Sequence, residues 1–186
     1  MKQYEYLFLD RDGVINVERP DDYVKNVQEF LFVEGALEAI CILSRIFRNI
    51  FIITNQRGVG RGVMGPTDLN QVHNFMLSEI NKAGGKISGI YFCTDTDSTS
   101  INRKPNTGMA FQVTRDYPEV DFFRSVMVGN SKSDIEFGKK LGMYTVLVGN
   151  KYKKSDIIYD RVDAYYENLY KFASICEENI NYDNTK

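Results

Sequence analysis

A chain of 186 residues, 43% of them hydrophobic, has room for one domain and little room for two. At that length folding buries roughly 70% of the surface of the unfolded chain, so neither disulfides nor a metal is needed to hold it together. The 23 Lys+Arg against 25 Asp+Glu leave a formal charge of -2, which speaks against wrapping a nucleic-acid backbone but leaves a small anionic substrate open. One histidine, His73, and three dispersed cysteines, Cys41, Cys93 and Cys176, exclude a local Cys/His zinc cluster. No apolar run approaches the ~18 residues of a membrane span. The expectation is a cytoplasmic protein with reduced thiols and no nucleic-acid or membrane partner.

In chain order, the first predicted element is a strand over residues 6–9, a compact apolar run ending at Asp10. Residues 34–48 place Leu37, Ile40, Cys41, Ser44 and Phe47 at helical spacing. A buried strand follows over 49–53, stopped by Thr54 and Asn55. A loop carrying Gly58, Gly60, Gly62 and Gly65 leads to Pro66, a helix start, and that helix runs to Ala83. Strands are predicted over 89–93, 125–129 and 144–148, with helices over 107–117 and 133–141 between them. A last helix is expected over 168–176, followed by a polar, frayed tail, 177–186, outside a single domain of 1–176. This alternation predicts an α/β fold whose mainly parallel sheet is covered by helices on both faces.

In such folds ligands bind beyond the carboxyl ends of the strands. The residues found there are Asp10, Thr54, Asn55 and Asn130, with Lys104 in the loop after the third strand. Asp10-Arg11-Asp12-Gly13 alone reads equally well as a turn closing a strand. Together with a hydroxyl at Thr54, a lysine at Lys104 and the acidic loop from Gly129 to Asp134, it makes a phosphoryl-transfer set: a carboxylate nucleophile, groups for phosphoryl oxygens, and oxygen ligands for magnesium.

The same four segments, Leu9-Asp10-Arg11-Asp12-Gly13-Val14-Ile15-Asn16, Ile53-Thr54-Asn55-Gln56, Arg103-Lys104-Pro105 and Val128-Gly129-Asn130-Ser131-Lys132-Ser133-Asp134, resemble the ordered motifs of the haloacid dehalogenase-like (HAD) hydrolases. Within that superfamily the chain is most similar to the small branch holding the heptose bisphosphate and histidinol-phosphate phosphatases. The resemblance implies a three-layer Rossmann-like domain without a cap, residues 17–33 being too short for one. It also implies roles. Asp10 would attack phosphorus and Asp12 would act as general acid and base. Magnesium would sit on the Asp10 carboxylate, the Asp12 carbonyl and Asn130, with Asp134 close by. Thr54, the Asn55 backbone and Lys104 would hold the phosphoryl oxygens. Arg61 and Arg103, and with less weight Arg57, are candidates for a second phosphate or a sugar hydroxyl.

Two departures from the family pattern stand out. Asn130 replaces an aspartate, removing one formal charge from the metal set, so weaker magnesium binding is expected rather than none. The loop 94–102, where many relatives build a zinc site, has only Cys93 at its start, so zinc is not expected. His73 is read as a partly exposed helix residue. The leading expectation is a magnesium-dependent phosphomonoesterase, monomeric, acting on a heptose 1,7-bisphosphate. The alternatives are a histidinol-phosphate phosphatase or a sugar-phosphate-binding protein whose hydrolysis Asn130 has weakened.

Overall fold

The computed structural model describes residues 4–152, 156, 158 and 161–184, the last four as backbone only. Its centre is a six-stranded sheet in the order β3-β2-β1-β4-β5-β6. The strands are β1 (Tyr6–Leu9), β2 (Asn49–Asn55), β3 (Gly89–Cys93), β4 (Ser125–Gly129), β5 (Tyr144–Val148) and β6 (Ala164–Tyr166), and every neighbouring pair is parallel. The helices are α1 (Ala36–Ile46), α2 (Arg57–Gly60), α3 (Pro66–Lys82), α4 (Gly108–Asp116), α5 (Lys132–Lys140) and α6 (Leu169–Asn184). The chain builds outward from β1 to β3, then crosses back to lay β4 on the other side of β1. The strand order therefore reverses beside β1, the position where open α/β sheets form their ligand crevice.

Alternate residues of each strand feed different layers. Leu7, Leu9, Ile50, Ile52, Val126 and Val128 pack with Ile40 and Leu43 of α1, Val72 and Met76 of α3, and Phe172 of α6. Phe8, Phe51, Ile53 and Met127 pack on the opposite face with Met109 and Val113 of α4 and Phe137 of α5. Burial on both faces is why the strands read as continuous apolar runs rather than as alternating patterns.

Strands β3, β4 and β5 fall where the sequence predicts them, and helices α3, α4 and α5 lie within a residue of their expected bounds. Five elements differ: β2 runs on through Thr54 and Asn55, the glycine loop opens with the short helix α2, and α1, β6 and α6 depart as follows. The buried residues of α1 are Ala36, Ala39, Ile40, Ile42 and Leu43, so Leu37, Cys41 and Ser44 lie at its margin. β6 is an additional strand of 3 half-buried residues, too short for a hydrophobic period, and is held by its pairing with β5. Helix α6 continues to Asn184 instead of ending near Cys176; residues 177–184 contain neither Gly nor Pro to stop it, and Glu177 pairs with Arg45 of α1 at 2.8 Å.

The segment 17–33 closes on itself at its base, where Val17 N–H donates to the Leu31 carbonyl and Val33 N–H to that of Ile15, at 2.8 and 2.9 Å. Val24 and Phe30 anchor it in the core. It forms a loop over the end of the sheet and not a separate domain. Among the described residues no helix is long and apolar enough to cross a membrane.

Candidate active site

Asp10 follows β1 directly and is 8% exposed. Its Oδ1 accepts from the Arg11 N–H at 2.8 Å and pairs with Lys104 Nζ at 2.9 Å, while Oδ2 accepts from none of the described residues. Lys104 Nζ also pairs with Asp134 Oδ1 at 2.6 Å and donates to the Ile53 carbonyl at 2.6 Å. The ammonium thus lies between two carboxylates and donates a hydrogen bond to one carbonyl. Burial and the nearby Asp134 push the Asp10 carboxyl up to about 7 against the pull of Lys104. The loop that carries Lys104 is itself anchored: Asn55 Oδ1 accepts from the Lys104 N–H at 3.0 Å, and Asn55 Nδ2 donates to the Lys104 carbonyl at 3.1 Å.

Asp12 lives in a different environment. Its Oδ1 accepts from Arg11 Nη2 at 2.9 Å and Asn16 Nδ2 at 3.0 Å, and its Oδ2 accepts from Gln56 Nε2 at 2.7 Å. Burial acts to raise this carboxyl, but the Arg11 charge and these hydrogen bonds outweigh it and hold the group below the usual carboxylate range. Gln56 Nε2 lies 2.8 Å from Thr54 Oγ1 as well, which leaves the threonine's own proton free to donate. Arg11 is 1% exposed, and its Nη1 lies 3.2 Å from His73 Nε2. A guanidinium can only donate, so the imidazole is an acceptor at Nε2 and is neutral. Burial first, then Arg11, holds its pKa down to about 3.

At the end of β4, Asn130 is 5% exposed and its Nδ2 donates to Glu18 Oε2 at 2.9 Å. Lys151 Nζ reaches the two Glu18 oxygens at 2.7 and 3.0 Å. Gly13, at φ 82°, makes this approach possible: a Cβ there would lie 1.8 Å from Asn130 Nδ2. Burial first, then the Arg57 and Arg61 charges, lower the pKa of the Arg103 guanidinium, whose Nη1 donates to the Asp95 carbonyl at 3.3 Å. Arg57 Nε is buried without a hydrogen-bond partner. The loop 94–102 is held by its own side chains. Ser100 Oγ donates to Asp95, Asp97 Oδ1 accepts from the Thr99 N–H at 2.8 Å, and Asn106 Nδ2 donates to the Ser100 carbonyl at 2.9 Å.

Residues 101–171 match the protein family described as HAD-hydrolase-like. A D-glycero-β-D-manno-heptose-1,7-bisphosphate 7-phosphatase of Neisseria meningitidis is 36% identical over 143 residues, 76% of this chain and 75% of that one. A D-glycero-α-D-manno-heptose-1,7-bisphosphate 7-phosphatase of Campylobacter jejuni is 36% identical over 152 residues, 80% and 84% of the two chains. The crystal structure of D,D-heptose 1,7-bisphosphate phosphatase from B. bronchiseptica complexed with magnesium and phosphate is similar with a TM-score of 0.84 at 28% identity, covering 94% of this chain and 99% of that one. This chain belongs to the HAD-like hydrolases.

Measured against that family pattern, Asp10, Thr54, Lys104, Asn130 and Asp134 gather at the carboxyl ends of β1, β2 and β4 as expected. Two of them are occupied differently. Asp134, expected near the metal, is fully buried; its Oδ2 caps α5 by accepting from Ser131 N and Oγ at 3.0 and 2.6 Å, and its Oδ1 faces Lys104. Lys104 is here the counter-ion of two carboxylates. The Asn55 side chain is used to anchor the Lys104 loop. His73 is 5% exposed, not partly exposed as read from its helix.

Sequence reasoning gave no role of their own to Arg11, Asn16 and Gln56, and placed Glu18 in a loop, 18–22, expected to select the substrate. The first three stood inside the quoted motifs, just past strand ends, and the available signal was a charged or amide side chain beside a candidate catalytic residue.

Among the described residues no three His, Cys, Asp or Glu side chains form a ready-made metal cage. The oxygen donors that a HAD-like hydrolase offers a hard cation here are the Asp10 carboxylate, the Asp12 carbonyl and the Asn130 amide. The chemistry of that set, oxygen donors throughout, fits magnesium.

Proposed function

We propose that the protein is a magnesium-dependent phosphomonoesterase that removes the 7-phosphate of a D-glycero-D-manno-heptose 1,7-bisphosphate through an aspartyl-phosphate on Asp10. The observation that carries the chemistry is the asymmetry of Asp10. With Oδ1 held by the Arg11 N–H and Lys104, Oδ2 is the oxygen free to attack phosphorus. The bond from Oδ2 to phosphorus forms as the bond to the sugar oxygen breaks, and the leaving alkoxide takes a proton from Asp12. Its donors keep Asp12 ionised in the free protein, and the negative charge of the docked phosphate opposes that ionisation and favours the proton-bearing form. After the first step Asp12 is again a base, which takes a proton from the water that cleaves the acyl phosphate. The Thr54 hydroxyl and the Asn55 backbone N–H hold the phosphoryl oxygens. Magnesium, held by Asp10, the Asp12 carbonyl and Asn130, supplies positive charge to the transferring group.

For the substrate, the heptose name is shared by the relatives at 36% identity, with both the α and the β anomer represented. Arg57, Arg61 and Arg103 are suited to the second phosphate of a bisphosphate, since a guanidinium fork matches phosphate oxygens and the Arg57 Nε has no other partner. The histidinol-phosphate alternative finds no support in the relatives, and an imidazole-bearing amine has no use for three cations.

The test is phosphate release from heptose 1,7-bisphosphate and from histidinol phosphate, with and without magnesium. The bisphosphate should be preferred in kcat/KM and turnover should need the metal. Asp10→Asn should lose more than about 10⁴-fold in kcat while keeping its fold. Preferred turnover of histidinol phosphate would overturn the substrate, and an active Asp10→Asn would overturn the nucleophile.

A further inference from the structure

We propose that Glu18 is a positioning residue that turns the Asn130 amide so that its oxygen, not its NH2 group, is presented to the cation. The inference rests on the reading of Asn130 as a magnesium ligand. An aspartate at this place would offer two equivalent oxygens, and a half-turn about its last bond would change nothing. An asparagine offers one acceptor and one donor, and the wrong half-turn aims N–H groups at a cation. Exchanging Asp for Asn therefore costs the site more than a charge, because the side chain acquires a wrong way round.

The geometry supplies the remedy. Glu18 Oε2 lies 2.9 Å from Asn130 Nδ2, across 112 residues of sequence. A carboxylate has no proton to donate, so only the NH2 group can face it, and Oδ1 is left for the other side. Lys151 Nζ, within 2.7 and 3.0 Å of the two Glu18 oxygens, holds the carboxylate in place. Asn130 is 5% exposed, so water competes little for the amide. Gly13 leaves the space in which the amide sits, since a Cβ there would lie 1.8 Å from Nδ2. The N–H···carboxylate bond also polarises the amide and makes its oxygen a better donor to a cation, as outer partners do for other metal ligands. Glu18 thus returns, one bond further out, part of the negative charge that Asn130 lacks.

This account predicts that Glu18 matters only while residue 130 has two different ends. Magnesium chloride would be titrated calorimetrically into the full-length wild type, Glu18→Gln, Asn130→Asp and the double variant, with thermal denaturation in metal-free buffer checking that each folds. Glu18→Gln should weaken magnesium binding about 10-fold or more in the wild type, the range found when a ligand loses its outer partner. In the Asn130→Asp background the same change should cost less than about 3-fold, since the 130 carboxylate has no wrong orientation. An equal loss in both backgrounds means that Glu18 acts by charge alone, and no loss in either means that it serves only Lys151; both results overturn the proposal and leave the metal reading standing. A wild type that takes up no magnesium overturns the metal reading and this inference with it.

Discussion

Asp10 and Asp12 are separated by one residue, yet the two sides of the site hold them by different means. On the β4 side, Asp10 and Asp134 share the Lys104 ammonium, so two buried negative charges depend on one positive charge. On the β2 and α3 side, Asp12 draws on Arg11, Asn16 and Gln56, and Arg11 is in turn supported by His73. The first arrangement leaves an oxygen free and a carboxyl pushed up to about 7. The second satisfies both oxygens and keeps the group ionised. Unlike surroundings set the two identical side chains apart, and the proposed roles require each to leave its resting state: Asp10 must ionise for attack, which a bound cation favours, and Asp12 must take up a proton, which a docked phosphate favours. The β4 side strings two carboxylates on one cation, whereas the α3 side gives one carboxylate a cation of its own and two amide hydrogen bonds besides, and the two should respond differently to substitution.

The largest effect is expected on the β4 side. Lys104→Met leaves Asp10 and Asp134 buried without their cation, which should cost about 3–5 kcal/mol of stability. Adding Asp134→Asn removes one of the two stranded charges and should recover part of that loss, although Asp134→Asn alone is destabilising. Urea denaturation of the four proteins measures this coupling. Additive losses would mean that Lys104 does not serve the two carboxylates jointly.

Legibility from the sequence follows the same division. Asp10, Asp12, Thr54, Lys104 and Asn130 could be read because each ends a strand or stands in an ordered motif, and the apolar runs that locate the strands locate them too. The neighbours that tune them were harder to read. His73 shares the buried face of α3 with Leu69, Val72, Met76 and Ile80, so its spacing pointed inward, but the arginine it accepts from lies 62 residues away and leaves no local trace. Glu18 lies in a loop without periodicity, and its contact with Asn130 exists only once β1 and β4 are paired. The fold was legible for a comparable reason: five strands carry apolar runs, while β6 has 3 residues and no pattern of its own.

On the α3 side the expected effects are smaller and fall more on rate. His73→Leu removes the acceptor of Arg11 Nη1 and should cost about 1–3 kcal/mol in stability. With Arg11 less firmly placed against Asp12, kcat should fall about 10-fold with little change in KM, a loss of roughly 1.4 kcal/mol in positioning. His73→Gln carries an amide oxygen that can accept from the guanidinium, and should recover most of kcat. Kinetics and thermal denaturation of the two variants decide the matter, and equal losses for Leu and Gln would remove the acceptor from the explanation.

The smallest effect tests whether the downward shift of a carboxylate by itself has anything to do with catalysis. Asp163, just before β6, accepts from Lys139 Nζ and the Thr145 N–H at 2.7 Å each and from Thr145 Oγ1 at 2.9 Å. Burial acts to raise its pKa, and these bonds outweigh it, so the net shift is downward as it is for Asp12. It lies far along the sheet from Asp10, and Asp163→Asn should leave kcat unchanged. Its contribution to stability, about 1 kcal/mol, should be complete at pH 7. A group with a lowered folded-state pKa loses its contribution as pH falls from the unfolded value, about 3.9, through the lower folded value. The stability gap between wild type and Asp163→Asn should therefore be full at pH 7 and close toward pH 2.5 in urea denaturation. A gap that does not change with pH would show that the hydrogen bonds, and not the charge on Asp163, hold this edge of the sheet.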